Sequence, residues 1–330
     1  LVTVFYKVFN EADFLQESLT TIYPFADKIV VMEYCLESMR KIILPSRVTE
    51  SGLSVDGTTE IIENFPDPDK KIEYKKIGFL YGGEEIPYQM IVDNIELGDF
   101  AWVIDGDIVY DSKFASQICN DIKSNQYDVL WVPEVVFYHD LWHERSCFFT
   151  QHQRVFRKQS LQSFYVPGCF EVWWIDQNED GLFSYRRINE DNKVYQDRRH
   201  LGKIYDREDG YRHLKGKTYD REEGFAFHYS YVRSIQRVLE KVLWQYEMID
   251  RGWNNKAERR SCAFFGNPLD FKLQAADFFK AHEMDLTARY DGKHPEIMKN
   301  NKWYDYRWDE LPIDITYNQA KDLIGWIGEC

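Results

Sequence analysis

Residues 102–110 read WVIDGDIVY, an apolar run that stops on two aspartates parted by one glycine and then resumes. A strand can end on Asp-Gly for ordinary reasons, because glycine accepts positive φ and aspartate bonds its own backbone in a turn. Two carboxylates on so short a segment are also hard oxygen ligands for a divalent cation. The letters themselves fit both readings, so the flanking sequence has to separate them.

Upstream, VTVFYKVF (2–9) is β-rich and leads into NEADFLQESLTTIY, where Phe14, Leu15, Leu19 and Ile22 keep helical spacing. KIVVME (28–33) is a second buried strand, DGTTEIIENF (56–65) a helix with a polar start, and KKIEYKKI (70–77) a third strand. A helix near 86–97, the strand FAWVI, a helix near 111–123 and the strand YDVLWVP continue the alternation. Such βαβα order predicts an α/β fold with a mostly parallel central sheet flanked by helices. Ligands in those sheets sit at the carboxyl ends of strands, the place Asp105 and Asp107 occupy.

After residue 132 the segments become aromatic and β-like (CFFTQHQRVFRK, SFYVPGCFEVWWI), and from about 231 the pattern is helical. In YVRSIQRVLEKVLWQYEMI the stripe Ile235, Val238, Leu239, Val242 and Tyr246 reads as core packing. The expected division is therefore an α/β half (1–132), a β-rich half (133–230) and a helical C-terminal extension (231–330). One repeat stands out: RHLGKIYDREDG (199–210) returns as RHLKGKTYDREEG (212–224). Its polar, glycine-punctuated composition suits a solvated surface loop or a functional lid.

The chain is 44% hydrophobic and 16% aromatic, enough for a large core. Forty-one basic residues against 55 acidic ones give a formal net charge of -14, which leaves no basic field for nucleic acid or anionic lipid. An anionic small substrate would need locally placed cations or a metal. The six cysteines form no C-x-x-C pair, so neither a zinc site nor a disulfide framework is indicated and a reducing compartment is expected. No apolar run has bilayer-spanning length and no signal-peptide pattern opens the sequence, so the expected location is cytoplasmic with no integral membrane segment.

Five features fall in order: FNE (9–11), Glu33, SVDGT (54–58), DGD (105–107) and FHYSYVR (227–233). Together they resemble the family-two-type glycosyltransferases of the glycosyltransferase-A fold. That family's plan is a strand ending in Y-N-E, a strand ending in an acidic residue, an S-x-D-G-T turn and a strand running into D-x-D. The likeness covers residues 1 to about 175, and HYSYVR matches a helix start, H-Y-G-Y-x-R, in many relatives. Three departures stand against it: Glu33 replaces the usual Asp, YCLESMRKIILPSRVTESGL is inserted before SVDGT, and Ile108 follows D-x-D where many relatives carry Glu.

The resemblance implies a nucleotide-diphosphate sugar as donor, a divalent metal (Mn or Mg) and a glycan, lipid-linked or protein acceptor. Residues 1–132 would bind the donor, through Phe9, Asn10, Glu11, Glu33, Asp56 and Asp105, and residues 133–230 would form the acceptor side. Asp107 is the expected direct metal ligand, joined by Asp105 and His228; Gly106 would let the backbone approach the ligand. For Glu33 and Asp56 the alternative is helix capping, and for His228 a role in the core. Arg154 and Arg157 match the family's R-x-F-R strand, or make a plain charged strand face.

An inverting reaction also needs a base beyond the D-x-D. Glu171, in VPGCFEVWW, is preferred over Glu134, Asp140, Glu144, Asp176, Glu179 and Asp180, because apolar neighbours would raise its pKa. Phe170 stands where the relatives carry a His. His139 and His143 are spaced i, i+4 but lack the H-E-x-x-H order of a zinc helix. Two other readings use the same letters: a haloacid-dehalogenase-type phosphatase with Asp105 as nucleophile, and a catalytically inactive nucleotide- or glycan-binding relative.

Overall fold

Parallel strands buried on both faces need continuous apolar runs, and three of the four that begin this chain have them, while the edge strand IEYKKIGFL (72–80) is charged and mostly half-buried. The computed structural model describes residues 1–37, 40, 45–81, 90–91, 93–96, 99–138, 140–145, 150–157, 173–177, 183–188, 194–195, 216–233, 237 and 287–306. Strands β1 (Val2–Val8), β2 (Lys28–Leu36), β3 (Ile72–Leu80) and β4 (Phe100–Asp105) lie parallel in the order β3-β2-β1-β4. Within β1 the side chains divide by alternation. Val4, Tyr6 and Val8 pack with Leu15, Leu19 and Ile22 of α1 (Leu15–Ile22), while Phe5 packs with Val30, Met32 and Val103 on the opposite face. Helix α2 (Thr58–Asn64) follows the SVDGT turn.

Beyond β4 the sheet becomes mixed. After the turn at Gly106–Asp107 come β5 (Ile108–Tyr110), α3 (Ser112–Ser124), β6 (Val129–Tyr138), β7 (His143–Arg145) and β8 (Thr150–Arg157). Strand β8 slots antiparallel between β4 and β6. Asp111 caps α3, its Oδ1 accepting from the Lys113 N–H at 2.8 Å, and Asn125 closes it in the left-handed region. A separate antiparallel sheet holds β9 (Trp173–Gln177), β10 (Phe183–Ile188) and β11 (Val194–Tyr195). Strands β12 (Gly216–Thr218) and β13 (Ala226–Tyr231) both run parallel to β6, and β14 (Thr287–Arg289) pairs with β7.

The α/β class with a mostly parallel centre is as the alternation predicts, and one sheet draws strands from both sides of the expected boundary at 132/133. The helical extension lies largely outside the described residues; besides 231–233 and 237 its described part is 287–306, which contributes β14 and a 3₁₀ turn at Glu296–Asn300. Half of the helix expected near 86–97 also lies outside them, and Met90, Ile91 and Asp93 are helical. Two expectations change. HYSYVR is not a helix start: Ala226–Tyr231 is a strand, because it finds edges on both sides, antiparallel to β5 and parallel to β6. The described part of the second repeat copy, 216–224, is only partly solvated, with Asp220–Glu223 exposed. It supplies β12, and its Tyr219 is fully buried, with the hydroxyl donating to Asp121 Oδ2 at 2.7 Å.

Register delivers the site residues to one edge. Lys7 is the partner of Asp105 and Val8 of Glu33, so β1 and β4 end together beside the Asn10 corner with Glu33 level with them, while β2 runs on to Leu36.

Candidate active site

Where β1 ends, the chain turns sharply: Asn10 takes a positive φ of 55°. Its side chain stitches that corner to the SVDGT segment. Oδ1 accepts from the Val55 N–H at 3.3 Å, Nδ2 donates to the Arg47 carbonyl at 2.8 Å, and the Asn10 N–H donates to Ser54 Oγ at 2.9 Å. Beside it the Glu11 N–H donates to Thr58 Oγ1 at 2.7 Å and the Ala12 N–H to Asp56 Oδ2 at 3.2 Å. Phe9 packs into the apolar cluster behind this corner.

Asp56 precedes Gly57, the N-cap of α2, and its side chain makes a local turn into the helix. Its Oδ1 accepts from both the N–H (3.1 Å) and the hydroxyl (2.6 Å) of Thr58 at the start of α2, while Gly57 supplies the φ of 103° the turn needs. Glu33 is more deeply committed. Fully buried at 0% exposure, it accepts from the Ser54 N–H at 2.7 Å, from the Thr59 hydroxyl at 3.0 Å and from the Tyr74 hydroxyl. Its carboxylate thus holds the shape of the SVDGT turn from behind.

The DGD segment packs onto this corner. A Cβ added at Gly106 would lie 2.8 Å from Glu11 Cβ and 3.2 Å from Val8 Cγ1, so glycine is needed for close approach to the Asn10–Glu11 turn. The two aspartates then diverge. Asp105, half-buried, accepts at Oδ2 from Arg154 Nη1 at 3.0 Å, with Lys7 Nζ 3.7 Å from Oδ1. Asp107 is 2% exposed; its Oδ2 accepts from Arg233 Nη2 at 3.0 Å, and His228 Nε2 lies 3.4 Å from its Oδ1.

Behind them a buried carboxylate closes the ring. Glu134, at 0% exposure on β6, accepts from Arg154 Nε, and its Oε2 stands 3.0 Å from His228 Nδ1. That last contact is an ion pair bent away from hydrogen-bond alignment. Charges therefore alternate along Lys7, Asp105, Arg154, Glu134, His228, Asp107, Arg233 and Glu11, the last accepting from Arg233 Nη2. Arg233 and Arg237 also donate to the Asn10 carbonyl, at 3.2 and 2.8 Å.

Pairing rather than burial sets these groups' charge. Burial would push the Asp105 carboxyl up, yet Arg154 and then Lys7 hold it below its ordinary value. Burial would likewise lower His228, but Asp107 and then Glu134 raise it to about 9, so in the metal-free protein it is an imidazolium at neutral pH.

Of the residues singled out from sequence, the structure brings Phe9, Asn10, Glu11, Glu33, Asp56, Asp105, Asp107 and His228 to one edge of the sheet. Glu171 lies outside the described residues, as does His139. His143 is on a strand, not a metal-binding helix, and its Nδ1 lies 2.8 Å from Asp140 Oδ1. Arg157 pairs with Asp128 and with the Asn125 turn, away from the aspartates. Arg154 is the member of that pair that enters the site. Sequence reading gave no role to Lys7, Arg233 or Arg237. Arg233 closes the quoted FHYSYVR stretch, a usable signal, whereas Lys7 looks like any basic residue at a strand end.

Does this set suit a divalent cation? Among the described residues no three His, Cys, Asp or Glu side chains converge as a metal cage. Cations at phosphate-handling sites take only one or two protein ligands and complete their shell with phosphate oxygens and water. Asp107 Oδ1 and His228 Nε2 are 3.4 Å apart, against the roughly 3 Å edge of an octahedron with bonds of about 2.1 Å. That pair fits such a cation, whereas Asp105 is turned to Lys7 and Arg154.

Neither the protein-family models nor the curated proteins contain a match to this chain. Among solved structures, S. aureus TarS 1–349 is similar over 85% of this chain and 78% of that one, at 12% identity and a TM-score of 0.40. The same protein in complex with UDP-GlcNAc is similar over 86% and 76%, at 13% identity and 0.39. A 4-diphosphocytidyl-2C-methyl-D-erythritol synthase from Anaerococcus prevotii is similar over 74% and 96%, at 12% identity and 0.33. Likeness at that level decides nothing about the chemistry of this chain, which rests on the residues themselves.

Proposed function

We propose that this protein is a metal-dependent glycosyltransferase that moves a sugar, with inversion, from a nucleotide-diphosphate donor to a glycan, lipid-linked or protein acceptor. One observation carries the reading: the D-G-D aspartates meet the Asn10–Glu11 corner and the SVDGT turn at the carboxyl edge of the parallel strands, within one chain of alternating charges. That edge is where ligands bind in α/β sheets.

Asp107 and His228 would hold the cation, which when bound neutralises charge on the departing diphosphate. Asp105, kept ionised by Arg154 and Lys7, offers an acceptor to the donor's ribose. Asn10, Glu11 and Asp56 wall the donor pocket, and Glu33 acts through the turn it fixes. The acceptor's proton needs a carboxylate of its own. Glu134 is enclosed by Arg154 and His228, Asp140 is 1% exposed and accepts from the Trp142 N–H, and Glu144 is paired with Arg221. Glu171 therefore stays the proposed base, with Asp180 as its substitute.

The test is to incubate the protein with a panel of nucleotide sugars and Mn(II). Release of nucleoside diphosphate and free sugar is the expected result. Release of inorganic phosphate from a phosphomonoester would make the protein a D-x-D phosphatase, and nucleotide binding without release would make it an inactive relative.

A further inference from the structure

Three neighbouring strands meet at Glu134. It lies on β6; β8 on one side presents Arg154, and β13 on the other presents His228. A carboxylate buried this deeply costs several kcal/mol unless it is fully paired. A buried ionic group of this kind, Glu134 with Arg154 and His228, is replaceable as a whole by apolar residues where packing is its only task. Each of its two partners continues to a different aspartate of the D-G-D segment. Arg154 donates from Nε to Glu134 and from Nη1 to Asp105 at 3.0 Å. His228 places Nδ1 3.0 Å from Glu134 and Nε2 3.4 Å from Asp107.

We infer that Glu134 is a positioning residue for the divalent-cation site, aiming His228 Nε2 at the cation while its Arg154 arm sets Asp105. The inference rests on the proposed function and goes beyond its assignment of ligands. The chemistry is that of a carboxylate behind a ligating imidazole. A carboxylate beside Nδ1 favours keeping a ring proton there, so that when a cation displaces the Nε2 proton the lone pair presented is that of Nε2 and the ring keeps its orientation. Arg154 prevents Glu134 from following the histidine, because its guanidinium is pinned at the other end by Asp105. The sequence spacing of 134, 154 and 228 hides this arrangement, which only the strand order assembles.

The experiment measures Mn(II) affinity directly, by the electron paramagnetic resonance signal of free Mn(II), with a nucleoside diphosphate from the panel present. Glu134→Gln should weaken Mn(II) binding about 10- to 100-fold, and Glu134→Asp should recover part of that loss. Affinity within twofold of wild type in a folded Glu134→Gln protein overturns the inference. Wild type supplies a second arm if the variant does not fold. The electron-spin-echo spectrum of bound Mn(II) should carry the modulation of one directly bound imidazole nitrogen, which His228→Gln removes. A spectrum without it leaves Glu134 nothing to aim and also overturns the inference. Neither outcome touches the proposed transfer reaction, which fails separately if no panel member is bound or cleaved.

Discussion

Strand β13 carries two environments back to back, and each holds a histidine. On one face His228 sits between the carboxylates of Asp107 and Glu134, and its pKa rises to about 9. On the other, Phe227 and Tyr229 join an aromatic cluster with Phe137, Tyr290 and Trp142, in which His294 is embedded. There His294 Nε2–H donates to the Leu141 carbonyl at 2.6 Å, and Nδ1 accepts from the Tyr229 hydroxyl at 2.8 Å. Burial lowers its pKa to about 4, with only weak opposition from Leu141 and Asp140. Burial pushes both rings the same way, so the partners decide. Two carboxylates make one histidine a cation at neutral pH in the metal-free protein, whereas burial, opposed by no bonded carboxylate, leaves the other neutral. The first environment holds buried charge, as the proposed cation site would require; the second is packing.

The sharpest way to break that contrast is to make both rings apolar. His228→Phe removes the cation between two buried carboxylates and should destabilise the protein by about 3–5 kcal/mol at pH 7, read from urea unfolding. His294→Phe strands two uncharged groups, the Tyr229 hydroxyl and the Leu141 carbonyl, and should cost about 1–3 kcal/mol. Equal losses would dissolve the distinction.

Acid sharpens it. Unfolded His294 takes up a proton near pH 6.5, whereas the folded ring resists until about pH 4. The stability it contributes is therefore complete above about pH 6.5 and drains away as pH falls towards 4, by at most about 3 kcal/mol. The gap between wild type and His294→Phe should close over that window, as followed by thermal unfolding at successive pH values. A gap that stays constant would mean His294 is already charged at neutral pH. A smaller effect is expected where the second repeat docks. Tyr219→Phe gives up its bond to Asp121, which Lys217 still holds at 2.9 Å, and should cost about 1 kcal/mol. No change would return that segment to the status of a loop.

Much of the parallel half was legible because its signals are local. The apolar runs of β1, β2 and β4 and the helical spacing of Leu15, Leu19 and Ile22 each lie within a single window of sequence, and the DGD segment ends a strand as its pattern implies. HYSYVR was misread as a helix because alternation in a short aromatic segment is weak, and only the waiting edges of β5 and β6 make it a strand. Tyr219 was missed for a similar reason: the charges around it are local, while the groove that buries it is assembled from α3 and β6. The circuit itself could not be read. Its members sit on or just beyond β1, β4, β6, β8 and β13, and β8 enters between β4 and β6 out of chain order, so no spacing rule connects Glu134 to Arg154 or His228. Glu33 shows the reverse limit. The strand was expected to stop at Glu33 but runs on to Leu36, and which groups surround the carboxylate depends on Ser54, Thr59 and Tyr74 folding over it.

The most direct test of the proposed function is donor cleavage by Asp107→Asn beside wild type, with Mn(II) and the nucleotide sugar that wild type uses, each protein first shown by circular dichroism to be folded. Loss of about 10³-fold or more in the rate of nucleoside diphosphate release is the expected result. Release within a few-fold of wild type from the folded variant would contradict the assignment of the D-G-D segment to the reaction.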